Sequence, residues 1–254
     1  MIARLIIASL AIATIAAQSG NAQEAKTNLA PGFVHLRSVD PTIMQAIRYA
    51  GPDNFTGKPV SGYQAAECVI VKDAAQALKR VQSELKPKGL GLKIFDCYRP
   101  VSAVAAFVRW AASEDTTPDL KQRYHPAFKR RHLFPGFIAK RSGHSRGGTV
   151  DLTLIDLARP EQKNEPLRDG CGPHEGGAEL DMGTGFDCFD LRSQTASKHV
   201  SDKARRNRRT LVEIMQLHGF RNYSGEWWHF TLNNEPYMRT YFDFPVVAPK
   251  SRNQ

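Results

Sequence analysis

Two short stretches of metal-ligand residue types lie far apart in this chain, and a fold that uses them has to bring them together. The first is Ser142-Gly143-His144-Ser145-Arg146-Gly147-Gly148-Thr149-Val150-Asp151. It sets an imidazole and a carboxylate on either side of a glycine pair. The second is Glu226-Trp227-Trp228-His229, a carboxylate three residues before another imidazole. Together they offer two imidazoles, one carboxylate ligand and one carboxylate to spare. That is the donor set of a hydrolytic zinc site: three protein ligands, an open position for water and a base.

The local pattern says how they meet. Gly147 and Gly148 permit a tight turn after His144. From Thr149 to Ile155 the chain alternates, with Val150, Leu152 and Leu154 on one strand face and Thr149, Asp151 and Thr153 on the other. Asp151 therefore sits on the polar face, close to the turn carrying His144. In a strand over 226–232, Trp227, His229 and Thr231 share a face, and Glu226 has the wrong parity to join His229. If both serve one metal, the chain must bend or bulge at Gly225-Glu226.

The frame around these motifs is globular: 254 residues, 41% hydrophobic and 24% charged, enough for one large domain. At the N-terminus Arg4 precedes an apolar run from Leu5 to Ala17, too short to span a bilayer comfortably and suited to a secretory signal. Gly20-Asn21-Ala22 is a small-x-small cleavage site, so residues 1–22 read as a signal peptide. Residues 23–44 read as a loose arm, 45–247 as the domain and 248–254 as a tail. The expected protein is exported, to the periplasm, and not membrane-embedded after cleavage. The formal net charge is +10, and removing Arg4 with the signal leaves +9. Only Lys203–Arg209 clusters the cations. A nucleic-acid patch reads that way, but in an exported chain the solvated start of a helix is the better reading.

Helical spacing places helices over Asp73–Leu85, from Pro100 through Ala111, and around Leu211–Leu217, ended by Gly219. Ala46–Tyr49, Leu90–Phe95 and Tyr241–Val246 are strand candidates. Residues 159–180 form a polar excursion rich in glycine. Helix and strand mix without regular alternation, which favours a single compact α+β domain over a doubly wound sheet.

An ordered set of blocks makes the chain resemble the zinc D-alanyl-D-alanine dipeptidases of the vancomycin-resistance type. The blocks are Arg48-Tyr49-Ala50 with Asp53–Val60, Asp96-Cys97-Tyr98-Arg99-Pro100, the pattern Ser-x-His-x-x-Gly-x-x-x-Asp at 142–151, and Met182-Gly183 with Phe186-Asp187. Asn207-Arg208-Arg209, Glu226–His229 and Tyr241–Val246 complete it. The resemblance runs from about residue 45 to 247. It implies a central antiparallel sheet with flanking helices and a Zn2+ cofactor held by His144, Asp151 and His229. Glu226 is implied as general base, and Arg99 as the cation that stabilises the tetrahedral intermediate. Asp187 would hold the ammonium of D-Ala-D-Ala, with Tyr49 and Ser142 lining that pocket. Read without the family, Arg99 is a structural ion pair with an acid such as Asp96, and Asp187 a turn residue capping its own backbone.

Three rivals differ in stated ways. A zinc D,D- or L,D-carboxypeptidase acting on peptidoglycan stem peptides lacks the ammonium clamp, so Asp187 counts against it. A non-haem iron oxygenase also uses two histidines and a carboxylate, but export and Glu226 count against it. A wall-binding module without catalysis does not need the base and the arginine. The stretch between Asp151 and Asp187 is longer than the family pattern and contains Cys171 and His174, the latter an accessory-ligand candidate or a surface residue.

Four cysteines in an exported chain allow three disulfide pairings. Cys68 lies before the first long helix and Cys97 ends the strand after it, which favours Cys68–Cys97. Cys171 in the excursion then pairs with Cys188, next to Asp187. A zinc-binding cysteine set is disfavoured, because no Cys-x-x-Cys pair occurs.

Overall fold

The computed structural model describes residues 29–114, 117–134, 136–159, 170–172 and 177–249. The proposed signal segment and His174 lie outside these residues. In chain order the elements are β1 (Phe33–His35), α1 (Leu36–Val39), β2 (Met44–Gln45), β3 (Val69–Val71), α2 (Lys72–Leu85) and β4 (Leu90–Asp96). Next come α3 (Val101–Ala112), α4 (Pro118–Tyr124), β5 (Thr149–Asp156), α5 (Asp202–Leu217), β6 (Phe220–Asn222) and β7 (His229–Leu232). The architecture is α+β. Five strands form one sheet in the order β2-β4-β5-β7-β6, and β1 pairs with β3 in a separate two-stranded sheet.

Neighbours along β4-β5-β7-β6 pair antiparallel, while β2 adds a short parallel edge to β4. The sheet is therefore mixed at one edge rather than wholly antiparallel. Register matters most at its centre. Asp96 on β4 stands opposite Asp151 on β5, which stands opposite His229 on β7. A register shift between Ile94 and Asp96 produces this row. The outward face of β5 is covered as well as the inward one: Val150, Leu152 and Leu154 are buried, and so are Thr149, Asp151 and Thr153. Thr149 and Thr231 satisfy each other across the strands at 2.9 Å.

The helices form where the spacing predicts them. On α2, Ala74, Leu78, Val81 and Leu85 are all buried, so its apolar stripe faces the core. Helix α5 starts at Ser201, whose side chain accepts from the Ala204 N–H and so satisfies one orphan donor of the first turn. The Lys203–Arg209 cluster lies on this helix, but not all of it is solvated. Arg208 is buried, and its guanidinium donates to the carbonyls of Met182, Arg192 and Gln194.

Three local expectations differ from the structure. The strand expected at Ala46–Tyr49 ends at Gln45, and Arg48–Ala50 is a 3-10 turn. This turn swings Tyr49 into an aromatic cluster with Phe55, Phe107 and Phe186. The alternating segment Tyr241–Val246 is not a strand. Its Phe242 and Phe244 rings pack edge-on against Phe33, while its backbone bonds scatter to Ser145, Val101 and Gly62. Alternating burial there comes from ring anchoring, not from a ladder. Finally, part of the arm expected to be loose is strand β1, because Phe33 fills the centre of that same aromatic group.

Both disulfides are present, Cys68–Cys97 and Cys171–Cys188. No helix of the described residues is long and apolar enough to cross a membrane.

Candidate metal centre

The central row of the sheet becomes a site because each motif turns sharply beside it. His144 lies in a 3-10 turn over Gly143–Arg146, ended by Gly147 in the left-handed region at φ 83°. A Cβ at Gly147 meets the Phe33 ring at 2.2 Å, so the position tolerates no side chain on steric or conformational grounds. The bend expected at Glu226 is a turn: the Glu226 N–H bonds to Tyr223 O, and β7 begins only at His229. Asn222 holds this turn by donating to the carbonyls of both Glu226 and His229, at 3.0 Å each. Glu226 and His229 thus face the same side despite their unfavourable strand parity, with Glu226 Oε2 3.7 Å from His229 Nδ1.

His144, Asp151 and His229 offer one donor atom each within 4.8 Å of one another. His144 Nδ1 lies 2.6 Å from Cys97 O, so it carries the proton and leaves Nε2 as a lone pair facing the centre. That Nε2 is 3.2 Å from Asp151 Oδ2 and 3.3 Å from His229 Nδ1. Asp151 Oδ1 is buried without a hydrogen bond and faces His229 Nδ1 at 3.0 Å. A buried acceptor and two imidazole nitrogens converging on one point fit a divalent cation better than they fit each other.

Electrostatics separate the two carboxylates. Burial acts to raise the Asp151 pKa, but the imidazoles of His144 and His229 outweigh it and hold the group below the usual carboxylate range. Burial pushes Glu226 up to about 8, helped by the charge of Asp151 and opposed by Arg99. Burial also lowers His229 below its ordinary value, against the pull of Asp151.

A cavity of about 310 Å³ opens on this centre, at the small end of ligand pockets. Asp151, Glu226, His229, Arg99, Tyr49, Ser142 and Asp187 all line it, while His144 lies behind. Sequence reasoning did not find Phe137, Ile138 and Tyr223, which also line it. Tyr223 donates to Gly136 O at 3.2 Å and so ties the 136–139 loop to the Glu226 turn. Asp187 adopts φ 58°, and among the described residues no other non-glycine residue has a positive φ. Asx residues tolerate that region best, and here it turns the carboxylate inward, where Tyr49 Oη donates to both oxygens at 2.9 and 3.1 Å. Arg99 makes the ion pair with Asp96 that one reading expected, and still lines the cavity.

The family model described as D-ala-D-ala dipeptidase matches residues 29–162 and 172–247. The chain belongs to the D-ala-D-ala dipeptidase family. It is 39% identical over 216 residues to D-alanyl-D-alanine dipeptidase of Enterococcus faecalis, covering 85% of this chain and 98% of the relative. The protein of that name from Streptomyces coelicolor is 42% identical over 201 residues, 79% of this chain and 91% of that one. The one from Escherichia coli is 36% identical over 200 residues, 79% and 84%. The family match breaks at 163–171, inside the excursion expected to be longer than the pattern. Cys171 belongs to this unmatched stretch, so one disulfide joins the extra segment to the residue after Asp187.

Proposed function

We propose that the protein hydrolyses D-Ala-D-Ala to two D-alanines, with Zn2+ held by His144, Asp151 and His229. The observation that carries this reading is the convergence of those three donor atoms beside Glu226, with Asp187 in the same small cavity. A zinc ion there supplies a Lewis acid and lowers the pKa of a water from about 16 to about 7.

The chain's own groups do the rest. Glu226 accepts the proton of the attacking water and hands it to the leaving amine. A carboxylate raised by burial suits both halves of that transfer near neutral pH. Arg99 is permanently charged and lies at the cavity wall, where it meets the negative charge that develops on the carbonyl oxygen. Asp187 with Tyr49 accepts the substrate ammonium through charge-assisted hydrogen bonds. Ser142 lines the same wall, and its Oγ accepts from the His144 N–H at 3.3 Å, so substrate contact and metal-ligand placement share a residue. The ammonium clamp separates this reading from a zinc carboxypeptidase on stem peptides, which has no free amine at that position. Two disulfides fit the oxidising compartment of an exported protein.

The test is purified zinc-loaded protein offered D-Ala-D-Ala, D-Ala-D-lactate and a pentapeptide stem. The free dipeptide is expected to be cleaved best. Efficient cleavage of the stem, with none of the dipeptide, refutes the assignment.

A further inference from the structure

Arg99 needs to point one corner of its guanidinium at the reacting carbonyl, and a flexible side chain does not do that unaided. We infer that Asp96 and Tyr63 are positioning residues that fix Arg99 for the reaction; this rests on the role proposed for Arg99 above. The carboxylate of Asp96 is fully buried. Its Oδ2 takes Arg99 Nε at 2.9 Å and Nη2 at 2.8 Å. Its Oδ1 takes the Tyr63 hydroxyl at 2.7 Å. Nη2 also reaches Asp151 Oδ2 at 3.5 Å.

The donor count shows what this leaves. Guanidinium carries five N–H groups in a fixed plane. Asp96 and Asp151 occupy the Nε–Nη2 edge, and among the described residues Nη1 makes no hydrogen bond. Nη1 is therefore the donor left for a ligand in the cavity that Arg99 lines. The plane is held from its faces as well: Cζ lies 5.2 Å from the Tyr49 ring centroid and 5.0 Å from that of Phe107. The register shift between Ile94 and Asp96 sets Asp96 beside the metal-ligand row rather than in a regular ladder position. Asp96 also sits 3.6 Å from His144 Nδ1, but that nitrogen is engaged with Cys97 O at 2.6 Å. The carboxylate's two close cationic contacts go to Arg99, so its main action is through the arginine.

Four variants of the full zinc-loaded chain test this: Asp96→Asn, Tyr63→Phe, Arg99→Lys and the double Asp96→Asn/Arg99→Lys. Zinc content and thermal midpoint are measured on each, with kcat, KM and the affinity of a phosphinate dipeptide analogue that mimics the tetrahedral state. Asp96→Asn should lower kcat on the order of tenfold to a hundredfold with zinc retained and KM nearly unchanged, and weaken the analogue by a similar factor. Tyr63→Phe, the gentler change, should lose less in the same direction. In the Arg99→Lys background, Asp96→Asn should cost less than about twofold, because its route of action is already gone. Full multiplicative losses in the double variant, or a Tyr63→Phe effect confined to KM, overturn the inference. An Arg99→Lys protein with unchanged kcat instead overturns the role of Arg99, and the two failures are told apart by that single variant.

Discussion

Glu226 gives a quantitative handle on the metal-free protein. Its carboxyl is raised from an ordinary value of 4.5 to about 8 by burial and by the neighbouring Asp151. A raised folded-state pKa means that the folded protein keeps a proton that the unfolded chain has released. The stabilisation is complete below about pH 4.5 and is lost as pH rises toward 8. The full span is worth on the order of 5 kcal/mol, of which about 2–3 kcal/mol falls between pH 5 and pH 7. Glu226→Gln keeps the shape and carries no charge at any pH, so its own contribution is flat. In excess chelator, the stability of Glu226→Gln relative to the parent protein should therefore rise by about 2–3 kcal/mol from pH 5 to pH 7. That corresponds to a relative gain of about 5–10 °C in Tm for a domain of this size. Histidines away from Glu226 are common to both proteins and cancel, and His229 beside it is lowered by burial. Zinc should remove most of the gain, since a cation beside the carboxylate favours its charged form. Two stability–pH curves that stay parallel from pH 5 to pH 7 would refute the reasoning.

Other outcomes follow from the same geometry. Glu226→Ala should abolish turnover with zinc still bound, whereas His229→Ala should lose zinc as well; metal analysis of both separates base from ligand. Asp187→Asn should raise KM for the free dipeptide strongly and leave its N-acetylated analogue, lacking the ammonium, little changed in steady-state assays. Gly147→Ala should destabilise the fold by several kcal/mol, since it forces both a left-handed backbone and a clash with Phe33, and urea unfolding measures it. Arg208→Ala should cost about 3 kcal/mol or more, because three buried carbonyls lose their donor together.

Much of the site was legible in the sequence, and the reason is local. Asp151 and His229 lie on strands whose alternation fixes which face each presents, and the glycine pair announces the turn that sets His144 beside them. The bend at Glu226 was legible as a parity conflict, though not its form, which depends on Asn222 bonding across the turn. What failed to show were features made by distant partners. Tyr241–Val246 alternates like a strand because Phe242 and Phe244 seek Phe33, a residue some two hundred positions earlier. Phe33 itself sits in a short stretch, Leu29 to Leu36, broken by Pro31 and Gly32, that gives no sustained periodic signal. The Tyr63–Asp96 bond and the loop at Phe137 and Ile138 likewise arise from tertiary placement, which no spacing rule encodes.

The charges of the site make one consistent account. Asp96, Asp151, Asp187 and Glu226 are four buried carboxylates around one small space, and Arg99 is the largely buried cation among them. With both imidazoles neutral, the formal sum is three negative charges in a poorly solvated volume. Such a deficit is costly unless it is compensated. The metal-free protein relieves it by holding a proton, and Glu226, raised to about 8 by burial, is a group that does so; burial raises Asp96 as well, against the pull of Arg99, whereas the histidines hold Asp151 down. A divalent cation and one substrate ammonium together bring three positive charges. On this reading zinc releases Glu226 as a base, and the ammonium at Asp187 completes neutrality when substrate arrives. A dipeptide with its amine acylated should then bind poorly even where it fits, and zinc should bind more tightly as pH rises through the range in which Glu226 gives up its proton.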